Sequence, residues 1–262
     1  MLIALLAVPA LLVGSFLNTL IVRVPTVDKI FSPGPRCQEC DASLGAVEVI
    51  PVLSWVLQRG RCKHCDVEIP VGYPLVEVGN VVLWSMAAVR FGLSWELPVY
   101  LAFFSLLLAL SVIDIELYLL PNRLTYPAIV VSIVAVPVLS FLLREDPGHS
   151  IRSAYYGGLG YAGFLLFMTL FYEIIIRKEG MGMGDVKLAL PLGIWVGWIS
   201  LHLVVYAVTI ATLLGSVVGL IIMLIRRDSR AFPFGPWLAI GAVAAIMYSE
   251  KILDGLNIVG AF

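Results

Sequence analysis

The chain has 262 residues, of which 60% are hydrophobic and 13% are charged, and its net charge is −1. Its apolar residues come in runs long enough to cross a bilayer, so the composition indicates a polytopic membrane protein. No basic face is left to bind the phosphate backbone of a nucleic acid, which excludes a nucleic-acid partner.

Hydropathy predicts an all-α fold with about eight transmembrane helices. The first has no basic amino-terminal region and no small-residue cleavage site, so we expect a retained helix rather than a signal peptide. The sixth is short, which is typical of a tilted or partly re-entrant segment. The predicted spans are residues 1–22, 73–91, 97–114, 123–143, 154–176, 186–200, 203–225 and 236–254.

The distribution of basic residues predicts the orientation of these spans. If the amino terminus lies outside, only four basic residues are on the outer side, and thirteen of the 17 Lys and Arg residues collect on the other. The positive-inside rule makes that second side cytoplasmic. The four outer residues are Arg90, Arg144, Arg152 and Lys251.

One sizeable polar segment, residues 23–72, follows the first span and contains all four cysteines, in two Cys-x-x-Cys pairs. Four thiolates can close a tetrahedral site, so we expect a zinc-ribbon-like insertion with a structural zinc ion. This divides the chain into a first helix, a cytoplasmic zinc-binding loop and a membrane core, at residues 1–22, 23–72 and 73–262. The predicted zinc ligands are Cys37, Cys40, Cys62 and Cys65.

Redox chemistry is the alternative interpretation of the paired cysteines, because dithiol oxidoreductases also use Cys-x-x-Cys motifs. Such a device should face the oxidising side of the membrane, whereas the charge distribution puts the cysteines in the reducing cytoplasm. His64 lies inside the second pair. We interpret it as a bystander rather than a ligand.

Two aspartates at predicted cytoplasmic span ends are the candidate catalytic residues. Asp114 closes the third span shortly before Pro121, which should end the helix and leave the carboxylate facing a wet cleft. Asp185 follows Gly180, Gly182 and Gly184, whose tolerance of positive φ would let a peptide approach the backbone. Carboxylates beside hydrocarbon are costly, and a coupled pair is typical of aspartyl hydrolases.

Structural roles could also explain each aspartate separately. Asp185 could be an N-cap of the sixth span, and Asp114 could be an interfacial acid paired with Arg123. Glu77 and Glu173, near other span ends, are interpreted as interfacial anchors, and Lys187 as a snorkelling lysine. Glu116 lies two residues from Asp114 and should point away from it on a helix.

The order of several motifs resembles that of the bacterial type IV prepilin peptidases, membrane aspartyl proteases named for a Gly-x-Gly-Asp sequence. The resemblance covers nearly the whole chain. It includes the four-cysteine loop and Asp114. Its other landmarks are Gly14-Ser15-Phe16-Leu17-Asn18, Ile50-Pro51-Val52-Leu53-Ser54-Trp55, Tyr73-Pro74-Leu75-Val76-Glu77, Leu120-Pro121-Asn122-Arg123, Gly182-Met183-Gly184-Asp185 and Pro233-Phe234-Gly235-Pro236.

This resemblance implies cleavage of the basic leader of prepilins or of type II secretion pseudopilins, after a glycine and at the cytoplasmic face of the inner membrane. Asp114 and Asp185 would be the catalytic pair. Many members also methylate the new amino terminus with S-adenosylmethionine. The chain departs from the family at Asn122, where many members carry an acid.

Two other classes of function remain open from the sequence. A membrane methyltransferase without peptidase activity would keep the cysteine loop but would not need two interfacial aspartates. An ion-coupled transporter could use the same acids as proton or cation sites. No inverted repeat is evident, which disfavours a transporter.

Overall fold

The computed structural model describes residues 1–26, 34–177, 182–226 and 232–255, and its regular secondary structure over these ranges is helical. A short 3-10 turn, Ala46–Val49, precedes the second helix. The α-helices are α1 Leu2–Thr26, α2 Leu53–Leu57, α3 Gly72–Phe91, α4 Leu97–Leu117, α5 Asn122–Leu143, α6 Pro147–Ile176, α7 Met183–Ile199, α8 Leu201–Arg226, α9 Gly235–Met247 and α10 Ser249–Gly255.

The prediction of an all-α polytopic membrane protein is confirmed. Within the described ranges, six helices are long and apolar enough to cross a membrane, and the pair α9 and α10 makes a seventh candidate that is bent by 66°. The remaining predicted span is α7, with 17 residues. At 1.5 Å per residue α7 is about 25 Å long, shorter than the hydrocarbon core of about 30 Å.

Helix α6 begins earlier than the hydropathy pattern predicts, at Pro147 instead of residue 154. The side chain of Asp146 caps it by accepting a hydrogen bond from the N–H of His149 at 2.9 Å, and Pro147 occupies the first turn. Both are favourable start signals for a helix, but they lie among polar residues that hydropathy assigns to a loop.

The chain divides into two compact units, Met1–Ala109 and Leu110–Phe262, and the first is held together by buried polar groups. Asn80 of α3 donates to the carbonyl of Ala10 in α1 at 2.8 Å and accepts from Ser105 Oγ at 2.7 Å. Ser105 in turn accepts from the indole of Trp84 at 2.8 Å. Such groups are costly beside lipid, so their mutual hydrogen bonds fix how α1, α3 and α4 pack.

The second unit is built around α7, most of whose residues are buried. It packs against α5, α6, α8 and α9. Trp195 and Trp198 of α7 donate indole hydrogen bonds to the hydroxyls of Ser132 and Ser140 in α5, both at 2.8 Å. A short helix can therefore lie at membrane depth, because neighbouring helices rather than lipid surround it.

Glycines bring α6 and α7 into backbone contact. A Cβ on Gly193 would overlap the carbonyl oxygen of Gly157, and a Cβ on Gly197 would lie 2.8 Å from the carbonyl oxygen of Ser153. The hydroxyl of Ser153 donates to the carbonyl of Gly197 at 2.6 Å. Close packing at these glycines sets the register of α7 against α6.

We expect Gly193→Ala to destabilise the protein by about 1–3 kcal/mol or more, because the added methyl group meets backbone that cannot rotate away. The thermal unfolding midpoint of purified protein in detergent measures this. Gly160→Ala is the matched control, since nothing lies within 4 Å of a Cβ at that position on α6. A Gly193→Ala protein that unfolds at the wild-type temperature would contradict the close approach.

Candidate active site and metal centre

Asp114 lies one turn before the end of α4, which stops at Leu117. Its carbonyl accepts a hydrogen bond from the N–H of Tyr118 at 2.9 Å, and Tyr118 has a φ of 55°, so the helix closes in a left-handed residue. Residues 118–121 are not helical, and Pro121 then caps α5. The prediction that Asp114 sits near a helix end beside irregular backbone is confirmed.

Asp185 lies in the first turn of α7, whose N-cap is Gly182. Its N–H donates to the carbonyl of Gly182 at 3.0 Å. The side chain of Asp185 is therefore not the N-cap that a structural role would require. A carboxylate in this turn interacts favourably with the helix dipole and needs no cationic partner to be tolerated there.

The amino terminus of α9 meets Asp114 directly. The N–H of Gly235, the first residue of α9, donates to Asp114 Oδ2 at 2.9 Å. A Cβ on Gly235 would lie 2.8 Å from the same oxygen, so only glycine permits the contact. The first N–H groups of a helix have no partners within it, and here one of them binds the carboxylate.

Both candidate aspartates lie in the second unit, and each carboxylate is at the amino-terminal end of a helix, Asp185 at α7 and Asp114 at α9. Both are closed off from solvent, with relative exposures of 5% for Asp114 and 7% for Asp185.

The expectation that Asp114 faces a wet cleft is therefore wrong for this conformation. Asp114 is covered because α9, which follows it by more than a hundred residues in sequence, packs its first turn onto the carboxylate. Hydropathy could not predict that coverage, since it gives no information about which helix ends meet.

The glycine motif is used for close packing rather than for unusual backbone angles. Gly182 has a φ of −64°, and a Cβ on Gly184 would lie 3.1 Å from Cβ of Leu120 in the irregular segment after α4. This contact joins the beginning of α7 to the irregular segment that follows α4. Gly180 lies outside the described residues.

Other polar residues near the site have separate roles. Lys187 Nζ donates to Asn122 Oδ1 at 3.0 Å and lies 5.0 Å from the ring centroid of Tyr126. Asn122, the position at which the chain departs from the family, thus contacts the basic side chain of Lys187 in α7. Glu116 and Glu173 are both exposed.

Glu77 anchors the cysteine loop to the membrane helices of the first unit. Its carboxylate is buried and accepts hydrogen bonds from the N–H of Val52 at 2.7 Å and from Asn18 Nδ2 at 3.4 Å. Val52 has a φ of 61°, an uncommon conformation for a β-branched residue. Glu77 is thus a buried packing residue rather than the interfacial anchor that its position at a span end predicts.

The four cysteines form one cluster in the first unit, with sulfur atoms that all lie within 4.8 Å of one another. The sulfurs of Cys37 and Cys65 are 3.8 Å apart. A tetrahedral zinc site with Zn–S bonds of about 2.3 Å requires sulfur separations of about 3.8 Å, whereas a disulfide requires about 2.05 Å. The cluster therefore fits a metal ion, and its cysteines are free.

The two halves of the cluster repeat the same local structure. In each, the N–H of an aspartate with φ near 57° donates to the first cysteine's carbonyl, and an arginine binds that aspartate's carboxylate. The first half uses Arg36, Cys37 and Asp41, and the second uses Arg61, Cys62 and Asp66. This repetition is typical of paired zinc knuckles.

Neighbouring groups shift the pKa values of two thiols in the cluster in opposite directions. The N–H groups of Cys40 and Glu39 lower the pKa of the Cys37 thiol to about 7. At Cys65 the N–H of Val67 acts in the same direction, but desolvation and the other three sulfurs outweigh it and raise the pKa to about 12. Four thiolates at this spacing need a cation. His64 lies outside the cluster, with Nε2 3.3 Å from Glu48 Oε1.

Gly235 is the site residue to which sequence reasoning gave no role. The available signal was Gly235-Pro236 after a break in hydropathy, which marks a helix amino terminus and hence a group of unpaired N–H donors.

These features define a class of polytopic membrane protein with a pair of buried carboxylates at helix ends and a separate four-cysteine centre. Comparison with known proteins identifies the family. Residues 8–91 match the bacterial peptidase A24 N-terminal domain, and residues 101–224 match the type IV leader peptidase family. The chain belongs to the type IV leader peptidase family, as the order of its motifs predicted.

Relatives from several bacteria are similar along nearly the whole chain, and each is named prepilin leader peptidase/N-methyltransferase. One from Pseudomonas putida is 35% identical over 276 residues, covering 95% of this chain and 92% of the relative. One from Bacillus subtilis strain 168 is 32% identical over 254 residues, covering 96% of each. One from Stutzerimonas stutzeri is 32% identical over 269 residues, covering 92% and 89%. No solved structure gave a significant match.

Proposed function

We propose that this chain is a membrane aspartyl endopeptidase that removes the leader peptide from type IV prepilins or type II secretion pseudopilins, with Asp114 and Asp185 as its catalytic pair. Family membership across both matched regions supports the activity. The observation that carries the residue assignment is the burial of both carboxylates at helix amino termini within the second unit.

The proposed mechanism is general acid–base hydrolysis without a covalent intermediate. One aspartate is ionised and takes a proton from water, and the resulting hydroxide attacks the scissile carbonyl carbon. The other aspartate is protonated and donates to the carbonyl oxygen, which gives a gem-diol intermediate. The first aspartate then passes the proton it took from water to the amine nitrogen, the C–N bond breaks, and the new carboxyl group returns a proton to the second aspartate. The N–H of Gly235 holds Asp114 in place during these transfers.

The basic residues support an orientation in which the amino terminus lies outside and the cysteine loop, Asp114 and Asp185 lie at the cytoplasmic face of the inner membrane. A prepilin would enter with its hydrophobic segment in the bilayer and its basic leader in the cytoplasm. This brings the leader junction to the membrane surface, at the level of the aspartates.

The four-cysteine centre is proposed to hold one zinc ion with a structural role. Cys37, Cys40, Cys62 and Cys65 would supply all four ligands, which leaves no open position for water or substrate. In this division of labour, residues 1–22 form a membrane helix, 23–72 the metal-binding loop and 73–262 the peptidase core.

Methylation of the new amino terminus is proposed as a second activity. The relatives' shared name supports it, and the donor would be S-adenosylmethionine. No residue of this chain is assigned to the donor.

Co-expression tests the peptidase and the methyltransferase together. We expect a candidate prepilin, produced with this chain in a bacterium that has no prepilin peptidase of its own, to yield a pilin that begins just after a glycine. Intact-mass spectrometry of the pilin would show both leader loss and an added methyl group. Methylation without cleavage would favour the methyltransferase alternative, and an unprocessed prepilin would contradict the proposed function.

A further inference from the structure

Tyr161, in the middle of α6, carries a hydroxyl group with no evident structural task. The side chain is 1% exposed, and its hydroxyl has no hydrogen-bond partner among the described protein groups. Other buried hydroxyls of the second unit do have partners, for example Thr169, which donates to the carbonyl of Leu165 at 2.9 Å. An unpaired buried hydroxyl destabilises a fold, and phenylalanine would fill the same space without that cost.

The packing of α6 on α7 places Tyr161 towards the catalytic end of α7. The helices run antiparallel, since Ser153 meets Gly197, Gly157 meets Gly193, and Gly158 meets Leu190. Tyr161 lies about one helical turn beyond Gly157 along α6, in the direction of the end of α7 that carries Asp185. No direct hydrogen bond joins the Tyr161 hydroxyl to Asp185.

We propose that Tyr161 is a positioning residue of the peptidase site, whose hydroxyl holds a water molecule that also binds the carboxylate of Asp185. A water at this point would have polar partners on two sides, as a buried water requires. It would fix the orientation of the Asp185 carboxylate in the first turn of α7. This inference rests on the proposed function.

Tyr161→Phe tests the role of the hydroxyl with little change in shape. We expect kcat for leader cleavage to fall by about tenfold to a hundredfold, the scale on which misplacement of a reacting group acts. KM should stay within about twofold, because a group that acts only on Asp185 does not bind the substrate. The thermal unfolding midpoint should not fall, since the hydroxyl stabilises nothing in the protein itself.

Tyr155→Phe is the matched control on the same helix, because its hydroxyl donates to the carbonyl of Ile133 at 2.8 Å, away from the aspartates. It should keep the wild-type kcat. A Tyr161→Phe enzyme with wild-type kcat, or one whose kcat falls together with its unfolding midpoint, would overturn the positioning role. If wild-type protein cleaves the prepilin and Asp185→Asn protein does not, the proposed function stands even when the Tyr161→Phe result overturns the positioning role. If wild-type protein does not cleave the prepilin, the proposed function and the positioning role both fail.

Discussion

Asp114→Asn and Asp185→Asn should each abolish leader cleavage while leaving the protein folded and inserted. Asparagine keeps the volume of the side chain but cannot cycle a proton, so each substitution should lower the rate by at least about a thousandfold. The double variant should be little slower than either single variant, because residues that act as one unit are not additive. Initial rates of leader release from a prepilin, in membranes with equal amounts of each variant, would measure this.

Glu116→Gln is the control for this series, since Glu116 lies on the same helix as Asp114 but is exposed. It should cleave at the wild-type rate. Substantial cleavage by either single aspartate variant would refute the pair and turn attention to Glu77, Glu116 or Glu173 as the missing acid.

Replacing Cys37 or Cys62 by serine should remove the metal and lower the yield of folded protein. The zinc content should fall from about one ion per chain to nearly none, because a structural site that loses one of four thiolates loses most of its affinity, and metal binding is part of the folding free energy. Elemental analysis of purified protein, with limited proteolysis of the loop at residues 34–72, would measure both effects.

His64→Gln is the matched variant, because His64 lies between two ligands but its side chain contacts Glu48. It should retain zinc. Wild-type protein without zinc, or with the four cysteines in disulfides, would contradict a structural zinc site. A site that needs only three of the cysteines would indicate an open coordination position and a catalytic role for the metal.

The sequence predicts the cysteine centre well because its determinants are local. Each Cys-x-x-Cys pair forms a turn over a few residues, with Asp41 and Asp66 completing the two turns in the same way. Only the contact between the two cysteine pairs is long-range in sequence, and the preference of zinc for four ligands predicts that contact.

The aspartate site could be predicted only in part. The sequence identifies Asp114 and Asp185 by their costly position at span ends. The contact between Gly235 and Asp114 joins helices whose hydropathy patterns contain no information about each other. For the same reason the closure of the site could not be foreseen, and a wet cleft was expected instead.

The observed helix boundaries differ from the predicted ones where capping signals and hydropathy disagree. Helix α6 extends through polar residues to Pro147, and α7 begins at Met183, three residues before the predicted span and inside the glycine motif. Hydropathy follows burial in lipid, whereas the helix start depends on hydrogen bonds to the first N–H groups. The last predicted span, 236–254, breaks near Tyr248 into α9 and α10, with no proline or glycine at the bend to announce it.

The most direct test of the account uses purified components. Wild-type protein in liposomes should convert a purified prepilin into two fragments, a leader that ends in glycine and a mature pilin, whose masses add up to that of the prepilin plus one water. Asp185→Asn protein in the same liposomes should leave the prepilin intact. An intact prepilin after incubation with wild-type protein, or the same two fragments with Asp185→Asn, would contradict hydrolysis by this pair of aspartates.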